Sequence, residues 1–292
     1  MFQGSIPALV TPMHPDGSLD ESALRQLVDF HIEQQTDALV VVGTTGESAT
    51  LDEQEHCKVI RISVDRAAGR IPIIAGTGAN STSEAIELSQ CAKNAGAKAS
   101  LSVTPYYNKP TQEGLYQHFK TIAEAVDLPI ILYNVPGRTG CDLQPATVEQ
   151  LSKIPNIIGL KDATGDLGRV RDHRRRCGEK FLLFSGNDDT GLDFILLGGQ
   201  GIISVTANVA PKAMHNMVTL ALNGQRAEAE SIDNTLIGLH KHLFVEPNPI
   251  PVKWAVQRLG LIKAGIRLPL VPLDVAHQTT VEQAMRSAGV IE

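Results

Sequence analysis

The sequence predicts an α/β protein, a (β/α)8 TIM barrel with a helical C-terminal appendage. Three observations predict it. Eight short apolar runs recur along the chain, helix-period segments fill most of the gaps between them, and polar side chains collect just past the ends of the runs.

The runs are Pro7–Val10, Ala38–Val42, Ile71–Ala75, Ala99–Val103, Pro129–Leu132, Ile157–Leu160, Phe181–Phe184 and Gly201–Val205. Their starts lie about 20 to 35 residues apart, the spacing of repeated βα units. Between them, Leu24, Leu27, Val28, His31 and Ile32 follow helical spacing, as do Leu115, Phe119, Ile122 and Ala123. Eight units fit a closed barrel; a doubly wound open sheet is the alternative, because periodicity does not prove closure. After about Gly224 the pattern changes. Gln225–Phe244, Pro251–Gly260 and Val275–Ala288 read as helices, separated by proline-rich joints at Glu246–Pro251 and Leu268–Pro272. The expected domains are a barrel over 1–224 and a helical unit over 225–292.

The chain has 292 residues, 42% hydrophobic and 20% charged, enough for a large core. A net charge of −6 and a pI near 5.9 argue against nucleic acid or an anionic membrane as partner. No window reaches the ~18 unbroken apolar residues of a membrane helix, and Met1 to Met13 lacks the basic and apolar regions of a signal peptide. Cys57, Cys91, Cys141 and Cys177 form no Cys-x-x-Cys pair and read as free thiols of a reducing compartment. The expected location is the cytoplasm.

The stretch from Asn156 to Asp166 organises the rest. Its apolar run ends at Lys161, before a turn of small and polar residues. An arbitrary lysine there snorkels into water. A strand apolar on both faces can instead aim its last lysine into a dry cavity, where burial disfavours the ammonium and frees an amine nucleophile. Other runs lead into Gly43-Thr44-Thr45-Gly46-Glu47-Ser48, Thr104-Pro105-Tyr106-Tyr107-Asn108, Tyr133-Asn134-Val135-Pro136-Gly137-Arg138-Thr139-Gly140, Ser185-Gly186-Asn187-Asp188 and Ser204-Val205-Thr206-Ala207-Asn208. Gly43–Gly46 fits a tight βα turn, and equally a loop whose N–H groups receive a small carboxylate. Tyr133 fits packing or proton transfer, and Arg138 a surface turn or a bidentate carboxylate clamp.

Other signals carry less. Gly76-Thr77-Gly78 has Ser81 where a dinucleotide loop needs a third glycine. Arg174–Arg176 reads as a solvated helix end. His240 and His242 diverge on a helix, and no His-Glu-x-x-His or Gly-x-Ser-x-Gly occurs, so neither a metal hydrolase nor a serine esterase is expected.

The stretches Gly43-Thr44-Thr45-Gly46-Glu47, Tyr133 to Gly140 and Gly159-Leu160-Lys161-Asp162 together resemble the signatures of the dihydrodipicolinate synthase family, within the superfamily that includes N-acetylneuraminate lyase. The similarity runs from about Phe2 to the end. It implies a Schiff-base lyase that condenses pyruvate with L-aspartate 4-semialdehyde in lysine biosynthesis, without metal or organic cofactor. Lys161 would form the imine and Tyr133 would move protons. Thr44 and Tyr107 would complete a hydroxyl relay, with Tyr107 donated by a neighbouring subunit of a homotetramer, a dimer of dimers. Thr45 and the Thr44 N–H would hold the pyruvate carboxylate, the Ile203 carbonyl and the space beside Gly186 would complete the pocket, and Arg138 would bind the second substrate. Two alternatives stand: a pyruvate-dependent aldolase acting on a sugar acid, and a non-catalytic binding barrel. Arg138 favours the synthase.

The resemblance also implies feedback inhibition by L-lysine at a subunit interface, through Ser48, Ala49, His56, Asn80, Glu84 and Tyr106. Glu53 departs from the pattern, standing where enteric members carry a histidine. Thr50-x-x-Glu53 and Ser81-x-x-Glu84 both fit helix capping boxes as well; capping accounts for Glu53, and ligand binding is the stronger reading of Glu84.

Overall fold

In the computed structural model, which describes residues 2–292, eight parallel strands form one ring. They are β1 (Gly4–Pro7), β2 (Leu39–Val41), β3 (Ile73–Gly76), β4 (Ala99–Val103), β5 (Ile130–Asn134), β6 (Ile157–Asp162), β7 (Leu182–Ser185) and β8 (Gly201–Ser204). The ladder runs β1-β8-β7-β6-β5-β4-β3-β2. An Ala8–Val40 bridge closes it, with the Leu9 N–H donating to the Val40 carbonyl at 2.8 Å. The first strand thus neighbours the last, as the barrel expectation requires and an open doubly wound sheet does not allow.

The strands are apolar on both faces because one face fills the barrel and the other meets helices. Ile6, Val40, Ile74, Ile131, Tyr133, Phe184 and Ile203 belong to one buried cluster, and two larger clusters lie among the helices. Each fully buried Leu- or Ile-sized side chain stabilises by roughly 1.5–3 kcal/mol. β1 starts three residues before the expected Pro7. Gly4 pairs with Gly201 so closely that a Cβ at Gly201 would lie 2.1 Å from the Gly4 carbonyl oxygen.

The helices are α1 (Glu21–Glu33), α2 (Glu53–Ala67), α3 (Thr82–Ala95), α4 (Gln112–Ala125), α5 (Pro136–Thr139), α6 (Pro145–Leu151), α7 (Gly168–Cys177), α8 (Gly191–Leu196), α9 (Pro211–Leu222), α10 (Arg226–His242), α11 (Ile250–Arg258) and α12 (Val275–Ser287). Asp20, Ser81 and Thr111 each cap a helix by accepting a backbone N–H, worth about 1 kcal/mol apiece. The cap of α2 corrects an expectation. Asp52 and Glu55 form the box, while Glu53 is the exposed first helical residue and caps nothing. The box two residues on prevails because Asp52, not Thr50, holds the extended backbone next to the first turn.

Two further expectations are corrected. Cys57 and Cys91 are joined in a disulfide, leaving Cys141 and Cys177 as the free cysteines among the described residues. The pair sits 34 residues apart, one on α2 and one on α3. Consecutive βα units place these helices side by side, a proximity that cysteine spacing does not reveal, so the cysteines no longer argue for a reducing compartment. Arg174 is not a solvated helix end either. Its guanidinium donates to the carbonyls of Gly178, Phe181 and Gly198 and to Gln200 Oε1, whereas Arg175 is exposed.

α10, α11 and α12 follow the expected bounds within two residues. Leu236, Leu239, Val252, Val281 and Met285 share a core with Val28, Val59, Met214 and Val218 of the barrel's own helices. The C-terminal helices therefore lie against the barrel as part of its core. Among the described residues no helix is long and apolar enough to cross a membrane.

Candidate active site

Lys161 is the penultimate residue of β6, and the parallel ladder sets it beside Tyr133 of β5. Both side chains are buried, and the Lys161 ammonium nitrogen lies 4.2 Å from the centroid of the Tyr133 ring. Burial lowers the Lys161 pKa from 10.5 to about 7; the Asp188 carboxylate opposes that shift and the Arg138 guanidinium adds to it. A large fraction of the amine is therefore neutral and nucleophilic near neutrality, as attack on a carbonyl requires.

Gly186 leaves the space beside this amine. A Cβ there would approach the Ala163 Cβ to 2.6 Å and the Lys161 Cε to 3.1 Å, so any larger residue would push against the nucleophile. Behind Lys161, buried Asp162 accepts the Thr164 N–H at 2.9 Å and lies 3.4 Å from Arg169 Nε and 3.5 Å from His173 Nε2. Burial alone would raise the Asp162 pKa, but His173, Thr164 and Arg169 outweigh it and keep the carboxyl ionised. Asp142 extends this support by accepting from Asn134 and Arg169. The end of β6 is thus held by charge and hydrogen bonds from outside the barrel.

Burial raises the Tyr133 pKa, while Arg138 and the Thr44 side chain pull the other way. The phenol is accordingly protonated at neutral pH and able to donate. The loop after β2 is a tight turn with its amides turned inward on itself: Gly46 and Ser48 N–H donate to the Gly43 carbonyl, and Glu47 N–H to that of Thr44. Val42 and Glu47 adopt positive φ, 49° and 57°, at either end, a conformation that costs a β-branched residue such as Val42 energy and needs surrounding support. Thr11 supplies some, donating its hydroxyl to the Gly46 carbonyl at 2.7 Å. Thr45 is buried, and its hydroxyl oxygen accepts from Asn248 Nδ2 at 3.0 Å.

Arg138 is exposed on the short helix α5 and donates to the Asn248 carbonyl at 3.3 Å. It shares with Thr44, Val135 and Thr139 the lining of a cavity of about 470 Å³. Ile203 is buried in β8, in the same interior cluster as Tyr133 and Phe184. Lys161, Tyr133, Thr44, Thr45, Gly186, Ile203 and Arg138 all come from the C-terminal ends of strands or the loops that follow, the face on which barrels of this kind carry chemistry. Tyr107 stands apart. It is 90% exposed, with φ at 74°, and its side chain stands in solvent.

The cavity continues past Thr44 and Arg138 to Ser48, Ala49, Glu53, His56, Glu84 and Tyr106. His56 donates from Nε2 to the Gly76 carbonyl at 2.7 Å, and burial lowers its pKa, so it is neutral here. Asn80 does not line the cavity; it holds the Tyr106 carbonyl through Nδ2 at 3.2 Å. Ser81 accepts the Glu84 N–H, which leaves the Glu84 carboxylate exposed and outside the cap.

Sequence reasoning assigned no role to two residues of this site. Asp188, the carboxylate that acts on Lys161, is buried and accepts the N–H groups of Val205 and Thr206 at 2.9 Å. It stands in a polar loop after a strand run, so a signal was present. Asn248 contacts Thr45 and Arg138 from a proline-rich joint more than a hundred residues from either, and no local pattern marks it.

Residues 1–288 match the dihydrodipicolinate synthetase family. The 4-hydroxy-tetrahydrodipicolinate synthase of Methylococcus capsulatus is 62% identical over 291 residues, covering 100% of both chains. The dihydrodipicolinate synthase of Acinetobacter baumannii, a chloride-inhibited enzyme solved in complex with pyruvate, superposes with a TM-score of 0.98 at 55% identity over 100% of both chains. The synthase of Cyanidioschyzon merolae, solved with lysine bound, gives 0.96 at 39% identity over 99% of both. The chain belongs to the dihydrodipicolinate synthetase family.

Proposed function

We propose that this protein is a 4-hydroxy-tetrahydrodipicolinate synthase, condensing pyruvate with L-aspartate 4-semialdehyde through an imine on Lys161. The observation that carries this reading is the buried Lys161 amine, brought to a pKa of about 7 beside Tyr133. The neutral amine adds to the pyruvate ketone and water leaves, giving an imine. Loss of a methyl proton converts it to an enamine, whose carbon attacks the aldehyde. Tyr133, protonated and in contact with Lys161, donates to the departing hydroxyl, takes up the methyl proton as tyrosinate, and returns it to the new alkoxide. The amino group of the second substrate then displaces Lys161 by transimination, which closes the ring and frees the enzyme.

Thr45 and the Thr44 N–H hold the pyruvate carboxylate, with the Ile203 carbonyl and the gap at Gly186 completing the pocket, and Arg138 receives the carboxylate of the semialdehyde. The pyruvate complex of the Acinetobacter relative supports the first substrate. Residues 1–224 form the catalytic barrel and 225–292 a helical unit. The enzyme works in the cytoplasm as a dimer of dimers; the outward-pointing Tyr107 of one subunit completes the proton relay of Thr44 and Tyr133 in its neighbour, a reading that its 90% exposure supports. L-Lysine binds in the cavity at Ser48, Ala49, His56, Glu84 and Tyr106, with Asn80 beside it on the Tyr106 carbonyl, and inhibits, as the lysine-bound relative suggests.

Mass spectrometry after incubation with pyruvate and borohydride tests the core of this reading. The reduced adduct is expected on Lys161 alone and is expected to be absent from Lys161→Arg, whose guanidinium stays protonated. An adduct on another lysine overturns the mechanism. Condensation rates with aspartate semialdehyde far above those with sugar aldehydes are expected; the reverse would assign the protein to a sugar-acid aldolase.

A further inference from the structure

Two lysines are buried among the described residues, Lys161 and Lys253. Lys161 is the proposed nucleophile. Lys253 lies on α11, and its ammonium is in direct contact with Glu47, the last residue of the Gly43–Glu47 turn. The two side chains are only 5% and 1% exposed, respectively. Glu47 also accepts the Arg267 N–H at 3.1 Å on its second carboxylate oxygen. Arg267 in turn donates to the Thr50 carbonyl at 2.7 Å and to both oxygens of Glu55 at 2.6 Å.

A buried ion pair of this kind is a poor source of stability, since desolvation of both charges offsets their attraction. Its geometry shows what it fixes instead. Glu47 holds a left-handed backbone at φ 57°, immediately after Thr44, Thr45 and Gly46. The turn's own hydrogen bonds close on Gly43 and leave its outer side to be held from elsewhere. That side is met by three residues that follow the barrel in sequence: Asn248 on Thr45, Lys253 on Glu47 and Arg267 on both Glu47 and Thr50. A shift of Glu47 would turn the Thr44 N–H and the Thr45 hydroxyl away from their ligand.

We propose that Glu47 and Lys253 are positioning residues for the pyruvate carboxylate subsite, by which the C-terminal helices set the Thr44–Thr45 turn. This rests on the proposed function. Neither side chain is a catalytic residue, and the proposed semialdehyde clamp, Arg138, bonds to Asn248 rather than to either of them.

The test compares wild type with Lys253→Met, Lys253→Arg, Glu47→Gln and the charge-free double variant Glu47→Gln/Lys253→Met. It reads the KM for each substrate, the melting temperature, and borohydride trapping at saturating pyruvate. Each single neutralisation is expected to raise the pyruvate KM about tenfold and the semialdehyde KM less than about twofold, with melting lowered because one buried charge is left alone. Lys253→Arg, which keeps the charge, is expected to recover part of the pyruvate KM. The double variant is expected to regain melting temperature while its pyruvate KM stays high, because the pair no longer strains the core yet no longer sets the turn. A pyruvate KM within twofold of wild type in any folded neutralised variant overturns the proposal, as does an equal rise for both substrates. Failure of the double variant to fold also overturns it, by making the pair a requirement of the fold. Trapping on Lys161 in wild type and variants alike keeps the Schiff-base reading separate; its absence from wild type removes that reading instead.

Discussion

The Lys161 amine lies 4.2 Å from the centre of the Tyr133 ring, across one rung of the β5–β6 ladder. A cation over an aromatic face is attracted to it, yet burial pushes the same amine toward its neutral form, to about pH 7. The first prediction follows from that balance. The rate of pyruvate-dependent trapping by cyanoborohydride is expected to rise about tenfold per pH unit below about pH 6 and to level off above about 8. An inflection near 10.5 would mean that burial does not depress this lysine. Stability carries the same signature. Between about 7 and 10.5 the unfolded chain binds a proton that the folded Lys161 has lost, so folding strengthens as pH rises through that window. Lys161→Met, which never titrates, is expected to lose part of its melting advantage over wild type between pH 7 and 9.

Tyr133→Phe keeps the ring over Lys161 and removes only the hydroxyl. Turnover is expected to fall by about 10²–10⁴-fold with unchanged melting, while the pyruvate adduct on Lys161 still forms. Turnover within twofold of wild type would leave Tyr133 as a packing residue.

Arg138→Leu removes an exposed guanidinium whose contact within the chain is a 3.3 Å hydrogen bond to the Asn248 carbonyl. The KM for aspartate semialdehyde is expected to rise by tenfold or more, and that for pyruvate much less. Equal increases for both would show that Arg138 acts by holding Asn248, and so Thr45, in place.

The Glu84 carboxylate is free of the α3 cap, because Ser81 serves the Glu84 backbone rather than its side chain. Glu84→Thr is therefore expected to melt like wild type and to lose lysine inhibition. Inhibition is expected to be partial in the native enzyme, since Glu53 lines the same cavity where enteric members carry a histidine. Native activity flat up to high millimolar lysine would remove the effector site; a lysine-sensitive Glu84→Thr would move it elsewhere.

The barrel was legible because a strand buried on both faces must be apolar throughout, and eight such runs leave few other arrangements. Lys161, Tyr133 and the loop at Thr44–Thr45 were legible for a related reason: polar residues just past buried strands collect on one face. What escaped depended on distance along the chain. Asn248 reaches Thr45 across 203 residues, Lys253 reaches Glu47 across 206, and the Cys57–Cys91 link joins two helices that only the three-dimensional packing of consecutive βα units makes neighbours. The α2 cap escaped for a local reason, two overlapping box patterns two residues apart, between which only backbone conformation chooses.

The ring of strands is not laddered evenly. From β2 round to β8 and on to β1 each strand pairs with the next over two or more residues, but β1 and β2 meet at one bridge, Ala8–Val40. That seam, closed below by the Ser5–Asp37 hydrogen bonds, lies next to the Gly43–Glu47 turn, while Lys161 lies on the opposite arc. Hydrogen exchange should thus divide the barrel: the Leu9 amide, bonded across the seam to Val40, should exchange through local opening, whereas the β5–β6 amides should wait for the whole ring to unfold. The turn proposed to hold the pyruvate carboxylate would then sit beside the part of the wall that breathes, and the proposed nucleophile on the part that does not.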